Sequence, residues 1–178
     1  MFALDSFIAD CLSAAAHAEA AARAVHDLMK RAFSDASAVV RALGEPTESG
    51  LVPLYRSDAL TIVNVVWKPG MTVAPHNHQT WAVIGVYCGR EDNVFWRRKK
   101  DAPQGQIEVA SQKTLSPGDV MPLGKDIIHS VTNPVAQLTG AIHVYGGDFF
   151  ALARSEWDAD TLVERPYDMA KTRALFES

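Results

Sequence analysis

Residues 2 to about 43 carry apolar side chains at close to helical spacing. The apolar positions recur every three or four residues, and alanine fills much of the rest, a pattern typical of amphipathic helices. Ser34 and Asp35 are residue types that cap helix N-termini, so we expect one helix to end there and another to begin. Gly44 and Pro46 predict the end of the helical region.

From Leu51 onward the pattern changes to short segments rich in β-branched and aromatic residues. Turn sequences such as "KPG", "GRED", "APQG" and "SPGD" separate them. Short strands without helical patterns between them indicate an antiparallel sandwich or barrel. The segment after about residue 149 is polar and mixed, and we expect it to wrap the barrel. The predicted strands are residues 59–67, 80–88, 93–98, 106–111, 119–123, 127–132 and 139–146.

Composition and charge are those of one globular domain. The chain has 178 residues, is 48% hydrophobic and 21% charged, and carries a net charge of −4. This balance gives no electrostatic reason to expect nucleic acid or an anionic membrane as a partner. The basic run "RRKK" at 97–100 follows a predicted strand, and we interpret it as the solvated end of a hairpin.

The two cysteines, Cys11 and Cys88, have no metal-binding or redox spacing, which favours a reduced cytoplasmic protein. Charged residues interrupt the alanine-rich N-terminus, so it does not read as a signal peptide. No apolar run approaches the length of a membrane span. We therefore expect a soluble cytoplasmic protein that is a monomer or a homodimer.

Two histidines, His76 and His78, stand one residue apart in a strand-like segment. Residues i and i+2 of a strand share a face, so both side chains should project together. A third histidine, His129, lies in another predicted strand behind a turn rich in proline and glycine. In a barrel one face is the interior, so the three imidazoles could meet there.

These residues resemble the two motifs of the cupin superfamily. The resemblance implies a double-stranded β-helix, also called a jelly-roll barrel, in which His76, His78 and His129 bind one metal ion. The resemblance covers roughly residues 50 to 155. Together with the helical and strand patterns it predicts an N-terminal helical region (1–46), a cupin barrel (47–150) and a C-terminal arm (151–178). The matching positions are Gly70, His76, His78 and Gly89, then Gly118, Pro122, Gly124, His129 and Asn133.

The usual cupin glutamate ligand is replaced by Ala82. Three neutral imidazoles leave a divalent ion its full charge and leave open positions for an anionic ligand and O2. Ligand type alone does not select the metal, because three histidines also hold catalytic zinc.

A three-histidine site without glutamate resembles the thiol dioxygenases, that is, cysteine dioxygenase and the bacterial 3-mercaptopropionate dioxygenases. Their His-x-Tyr pair is matched by His143 and Tyr145. Two positions depart from the family pattern: Asn77 replaces an aspartate, and Ala141 replaces the serine of a Ser-x-His-x-Tyr relay. The resemblance implies an Fe(II) enzyme that oxidises a small thiol carboxylate to its sulfinate with O2. Zinc, nickel or manganese could occupy the site in a purified sample.

The resemblance also implies roles for the remaining site residues. Tyr145 would offer its hydroxyl to the substrate or to O2, and His143 would orient that hydroxyl. The substrate carboxylate needs a cation, and arginine gives bidentate geometry. Arg56 and Arg154 are the two candidates, and the offset of Arg154 from the His-x-Tyr pair favours it.

Three other functions remain open at this stage. A carbon–carbon-cleaving dioxygenase uses the same three-histidine iron, and a zinc or manganese isomerase would need an acid–base residue where Tyr145 stands. A cupin that only binds a small molecule is the third alternative.

The helical region should supply no metal ligand, because His17 and His26 lack the i, i+3 or i, i+4 spacing of a helical pair.

Overall fold

The computed structural model describes residues 2–16, 20–100, 102 and 105–177. Three helices precede the sheets and one follows them; a 3₁₀ turn covers Phe33–Asp35. The helices are α1 Leu4–Ala15, α2 Ala21–Ala32, α3 Ala36–Leu43 and α4 Met169–Glu177. The strands are β1 Gly50–Arg56, β2 Leu60–Trp67, β3 Thr72–His76, β4 Ala82–Cys88, β5 Glu91–Arg98, β6 Ile107–Leu115, β7 Val120–Leu123, β8 Ile128–Thr132, β9 Thr139–Gly146, β10 Ser155–Trp157 and β11 Glu164–Pro166.

The strands form two antiparallel sheets. One sheet has the order β1-β2-β9-β4-β7 and the other the order β11-β10-β3-β8-β5-β6. If β2 to β9 are counted as eight consecutive strands, one sheet holds the first, eighth, third and sixth, and the other holds the second, seventh, fourth and fifth. This is the order of a jelly roll, or double-stranded β-helix. The predicted fold class, a mostly β barrel with N-terminal helices, is confirmed.

Strand β9 shows how the sequence supplies two apolar layers at once. Ala141 and Tyr145 belong to the core between the two sheets, whereas Ile142 and Val144 belong to a second core on the opposite face. Successive residues of a strand point to opposite faces. The strand is therefore buried on both sides, and this explains its almost continuous apolar run.

Helices α1 to α3 cover the outer face of the first sheet. Their buried side chains, among them Phe7, Val25 and Met29, share one hydrophobic cluster with Ile62 and Val83 of the sheet. Burial of this kind contributes about 1.5–3 kcal/mol for each large side chain. The helical region thus completes the barrel's outer core.

The predicted break in the helical region is present. Asp35 is the N-cap of α3, and its side chain accepts a hydrogen bond from the backbone N–H of Ala38 at 3.1 Å. The helix stops at Gly44, whose φ of +83° suits glycine. No helix in the described residues is long and apolar enough to cross a membrane.

Two strands of the barrel are not among the predicted strand ranges, although the segment with His76 was interpreted as strand-like. Strand β1 contains Pro53 and lies at a sheet edge, where a missing backbone donor is tolerated. Strand β3 is short and ends at His76. The "RRKK" run lies at the end of β5, where 97–100 are exposed, as predicted.

The C-terminal arm extends the second sheet and then returns to the core. Strand β10 pairs with β3, with Glu156 opposite His76. Helix α4 places Phe176 in the core between the sheets, where its ring lies 5.2 Å from that of Trp67. Residues after β9 therefore close one side of the histidine site.

Candidate metal centre

The three predicted histidines come together inside the barrel. His76 is the last residue of β3, and His129 on β8 is its cross-strand partner. The ring centroids lie 4.7 Å apart for His76 and His129, 5.1 Å for His76 and His78, and 5.0 Å for His78 and His129. His78 lies beyond the end of the strand, so the predicted i, i+2 strand geometry is wrong in detail although the side chains converge.

The nitrogen atoms of these histidines fit a single metal ion. One donor nitrogen from each residue lies within 4.8 Å of the other two, and the Nε2 atoms of His78 and His129 are 3.3 Å apart. Metal–imidazole bonds of about 2.0–2.1 Å place neighbouring ligand nitrogens roughly 3.0–3.4 Å apart. This group could therefore hold a divalent transition metal.

Backbone and side-chain acceptors orient two of the rings. The Nδ1–H of His76 donates to the carbonyl oxygen of Ala74 at 2.9 Å. The Nδ1–H of His129 donates to Oδ1 of Asn93 at 3.0 Å. In both residues the hydrogen is on Nδ1, so Nε2 carries the lone pair that a metal ligand requires.

Burial keeps these imidazoles neutral. It lowers the pKa of His76 to about 4 and lowers the pKa values of His78 and His129 well below their usual range. Neighbouring imidazoles reinforce the shifts at all three positions, and the positive charge of Arg154 does so at His76 and His78. Neutral imidazole is the form that binds metal.

Tyr145 and His143 lie together on the inner face of β9. Nδ1 of His143 and the hydroxyl oxygen of Tyr145 are 2.9 Å apart in a hydrogen bond, and the Tyr145 ring lies 5.1 Å from that of His78. Burial raises the pKa of the Tyr145 phenol above its usual value, with the nearby charge of Arg154 acting in the opposite direction. The phenol is thus a neutral hydroxyl beside the histidine group.

Arg154 is buried in the same region. Its guanidinium carbon lies 4.1 Å from the ring centroids of both Phe149 and Tyr167. Nη1 donates to the carbonyl oxygen of Phe149, whereas Nε and Nη2 are buried without a hydrogen-bond partner among the described residues. A buried cation with two unsatisfied donors is a place where an anion would be stabilised.

Arg56 has a different environment. Its guanidinium makes two hydrogen bonds to the carboxylate of Asp148, at 2.9 and 2.8 Å. The Arg56 side chain is 48% exposed. Of the two arginines predicted to bind the carboxylate, Arg154 therefore lies near the histidines. Arg56 instead forms an ion pair at the surface.

Two residues of strand β5 were not recognised as part of the site. Glu91 and Asn93 are buried and contact His143 and His129, respectively. Both are polar residues at i and i+2 near the start of a strand, which places them on one face. That alternation was the available signal, but the "GRED" sequence was interpreted only as a turn.

Asn77, which replaces the aspartate of the resembled family, joins the site to the C-terminal arm. Its backbone N–H donates to the Ser155 carbonyl at 3.1 Å. Its side-chain oxygen accepts from the Ser155 N–H at 2.9 Å. Because Ser155 follows Arg154, these two hydrogen bonds hold the segment that carries Arg154 next to His76 and His78.

The arrangement of sheets and histidines defines a class: a jelly-roll barrel, or double-stranded β-helix, with a candidate metal centre. No protein-family model and no curated protein matches the sequence. Similar solved structures include an RmlC-like cupin from Methanocaldococcus jannaschii, at 9% identity and TM-score 0.48, covering 60% of this chain and 87% of that chain. A double-stranded β-helix protein from Klebsiella pneumoniae is 14% identical with TM-score 0.44, covering 61% and 82%. An oxalate decarboxylase variant from Bacillus subtilis is 18% identical with TM-score 0.41, covering 53% and 23%.

Proposed function

We propose that this protein is a thiol dioxygenase, an Fe(II)-dependent enzyme that oxidises a small thiol carboxylate to its sulfinate. Both atoms of O2 would be added to the substrate sulfur, so the thiol R–SH becomes R–SO2H without a further co-reactant. The observation that carries the proposal is the buried, incompletely paired Arg154 beside three neutral histidines.

The histidine group suits this reaction because it brings no negative charge. His76, His78 and His129 would hold the ion, and Ala82 adds no carboxylate at the position where many cupins have glutamate. When bound, Fe(II) would supply the redox chemistry that joins O2 to sulfur. A thiol ligand is bound as thiolate, and the uncompensated charge of a divalent ion favours that form.

Arg154 would bind the carboxylate of the substrate. The rings of Phe149 and Tyr167 hold the guanidinium between them, so its planar fork is positioned before a ligand arrives. A buried donor left unsatisfied costs about 1–3 kcal/mol, and more when it is charged. An incoming carboxylate would remove that cost, and this favours thiol acids over thiols without a negative group.

Tyr145 would make the contact to the reacting atoms. Its ring lies on the inner face, 5.1 Å from the ring of His78, and stacks on Phe149 with the centroids 4.0 Å apart. Stacking on Phe149 and the hydrogen bond to His143 hold the phenol in one orientation. A positioned phenol beside the candidate metal centre is the group expected to hydrogen-bond the substrate.

An open groove of about 790 Å³ on the protein surface has Arg154 among its lining residues. It is lined by Gln79, Arg154 and Ser155 and by residues 163–166. Gln79 has a φ of +55° directly after His78, an uncommon backbone conformation for a residue other than glycine. The groove supports the proposal that a small molecule enters on the side of the barrel that the C-terminal arm covers.

The test is metal analysis of anaerobically purified protein, followed by oxygen uptake with a panel of thiol acids. Stoichiometric iron, with one O2 consumed per thiol and sulfinate as the product, is expected. Iron with oxygen uptake only on a diketone would support the carbon–carbon-cleaving alternative, and activity with zinc or manganese alone would support an isomerase. Ligand binding without turnover of any substrate would identify a binding module.

A further inference from the structure

Glu91 is a completely buried carboxylate that the proposed reaction does not yet use. It begins strand β5, and its Oε1 accepts a hydrogen bond from the indole N–H of Trp67 at 2.8 Å. The same oxygen lies 3.5 Å from Nε2 of His143. Oε2 has no hydrogen-bond partner among the described residues.

The direction of the hydrogen bonds follows from the chemistry of each group. Indole is only a donor, so Oε1 of Glu91 is an acceptor. His143 Nε2 faces that acceptor and therefore carries the hydrogen. A neutral imidazole has one N–H, which leaves Nδ1 as an acceptor. The hydroxyl of Tyr145 then donates to Nδ1 across 2.9 Å.

We propose that Glu91 is a positioning residue, which holds His143 in the Nε2–H tautomer and thereby directs the hydroxyl hydrogen of Tyr145 toward His143. The lone pairs of the Tyr145 oxygen are left free, so Tyr145 would meet a bound ligand as a hydrogen-bond acceptor and not as the donor that the resemblance implies. The order carboxylate, imidazole, hydroxyl is that of the catalytic triads, in which the carboxylate fixes the imidazole tautomer.

Glu91 supplies a polar partner for His143 that strand β9 itself lacks. Ala141 lies on the inner face of β9, two residues before His143, and has no polar side-chain atom. In the resembled family a serine at this place would contact the histidine. Here the acceptor comes instead from β5, in the other sheet, and it adds a negative charge that serine lacks.

The test follows the His143 ring nitrogens by ¹⁵N NMR in the full-length protein loaded with Zn(II), which is diamagnetic and needs no turnover. In the wild type, Nε2 of His143 should carry the hydrogen and Nδ1 should not. Glu91→Met keeps the side-chain length and removes the acceptor, so the Nδ1–H tautomer should become populated. Glu91→Gln keeps a carbonyl oxygen for both donors and should retain the wild-type tautomer.

Trp67→Phe is the matched control, because it removes the other donor to Glu91 and leaves the contact to His143. It should keep the wild-type tautomer. A wild-type His143 with its hydrogen on Nδ1 would overturn the inference without any variant. An unchanged tautomer in Glu91→Met, or the same change in Trp67→Phe, would also overturn it.

Of these expected results, only the effect on turnover depends on the proposed function. With a thiol acid, Glu91→Met should lower kcat about 10-fold or more with little change in KM, and Glu91→Gln should recover most of it. If the tautomer changes as expected but no thiol is oxidised, the proposed function fails and the positioning role of Glu91 stands. If thiols are oxidised but the tautomer does not depend on Glu91, the positioning role fails.

Discussion

The guanidinium of Arg154 lies over the ring of Phe149, 4.1 Å from its centroid, and donates to the carbonyl oxygen of the same residue. Phe149 thus holds the cation from two directions without neutralising it. The arginine is 7% exposed, and its positive charge acts to lower the pKa values of His76, His78 and Tyr145. Its Nε and Nη2 have no hydrogen-bond partner among the described residues, and this supports the proposal that Arg154 binds an anionic ligand.

The first prediction concerns this cation. Arg154→Lys keeps the positive charge and loses the planar fork, which removes one charge-assisted hydrogen bond worth about 1.5–3 kcal/mol. We expect kcat/KM for a thiol acid such as 3-mercaptopropionate to fall roughly ten- to hundred-fold. Oxygen uptake with cysteamine, which has no carboxylate, should scarcely change.

Arg56→Lys is the control for this experiment. Arg56 is paired with Asp148 and half-exposed, so the substitution should leave kcat/KM for both thiols unchanged. A selective loss in Arg56→Lys alone would assign the carboxylate contact to Arg56. If neither variant loses selectivity, the substrate is not a thiol acid, and the carbon–carbon-cleaving reaction becomes the leading hypothesis.

The second prediction concerns metal binding. His129→Ala removes one of three converging nitrogens, and two imidazoles do not hold a divalent ion with the same affinity. We expect stoichiometric iron to be lost from the folded variant, and the same result from His76→Ala and His78→Ala. Iron content measured beside circular dichroism separates loss of metal from loss of fold.

His26→Ala is the matched histidine control. His26 lies on α2, where its ring contacts Asp27 at the surface, and the variant should keep full iron content. Full occupancy in any of the three site variants, or lost iron in His26→Ala, would contradict the ligand assignment. The other histidine of this prediction, His17, lies outside the described residues.

The barrel could be predicted from the sequence because its strands are short, apolar and separated by residues with a strong preference for turns. The strands around His143 alternate between two buried layers, so their boundaries follow directly from the hydrophobic pattern. Strand β1 was missed because its burial is partial along its length, so no face of it carries a continuous apolar signal. A sheet edge with a proline resembles a loop in sequence.

The histidine group was predicted for a partly incorrect reason. Strand alternation places His76 correctly, but His78 lies in the following loop and reaches the site through the turn of the chain. Glu91 and Tyr167 were missed because they come from distant segments that only the folded barrel brings together. Residues that contact each other across two sheets leave no spacing in the sequence from which to infer the contact.

The third prediction tests the packing of the helices on the barrel. An added Cβ at Gly85 would lie 2.8 Å from both Met29 Cε and Phe33 Cε1, too close for ordinary contact. Gly85→Ala should therefore lower the free energy of unfolding by about 1–3 kcal/mol. Urea denaturation measures this change, and iron content should be retained because the contact lies on the outer face of β4.

Gly124→Ala is the corresponding control, because the nearest side-chain atom to its added Cβ would be Ile127 Cγ1 at 3.9 Å. It should change the free energy of unfolding by less than about 1 kcal/mol. If Gly85→Ala is as stable as the wild type, the helices adapt to the extra methyl group. The close packing inferred for α2 on the sheet would then be wrong.

The last prediction concerns the hydroxyl of Tyr145. Tyr145→Phe keeps the ring that stacks on Phe149 and removes the oxygen that contacts His143. We expect fold and iron content to be retained while thiol turnover falls roughly 10- to 1000-fold, as for a positioned proton-donating or accepting group.

Tyr87→Phe is the control, because its buried hydroxyl donates to Asn64 at 2.8 Å in the cluster beneath the helices. That variant should lose about 0.5–1.5 kcal/mol of stability and keep its turnover. If both variants turn over at the wild-type rate, Tyr145 only packs the core. If both slow equally, the loss reflects weakened packing and not a hydroxyl contact at the metal centre.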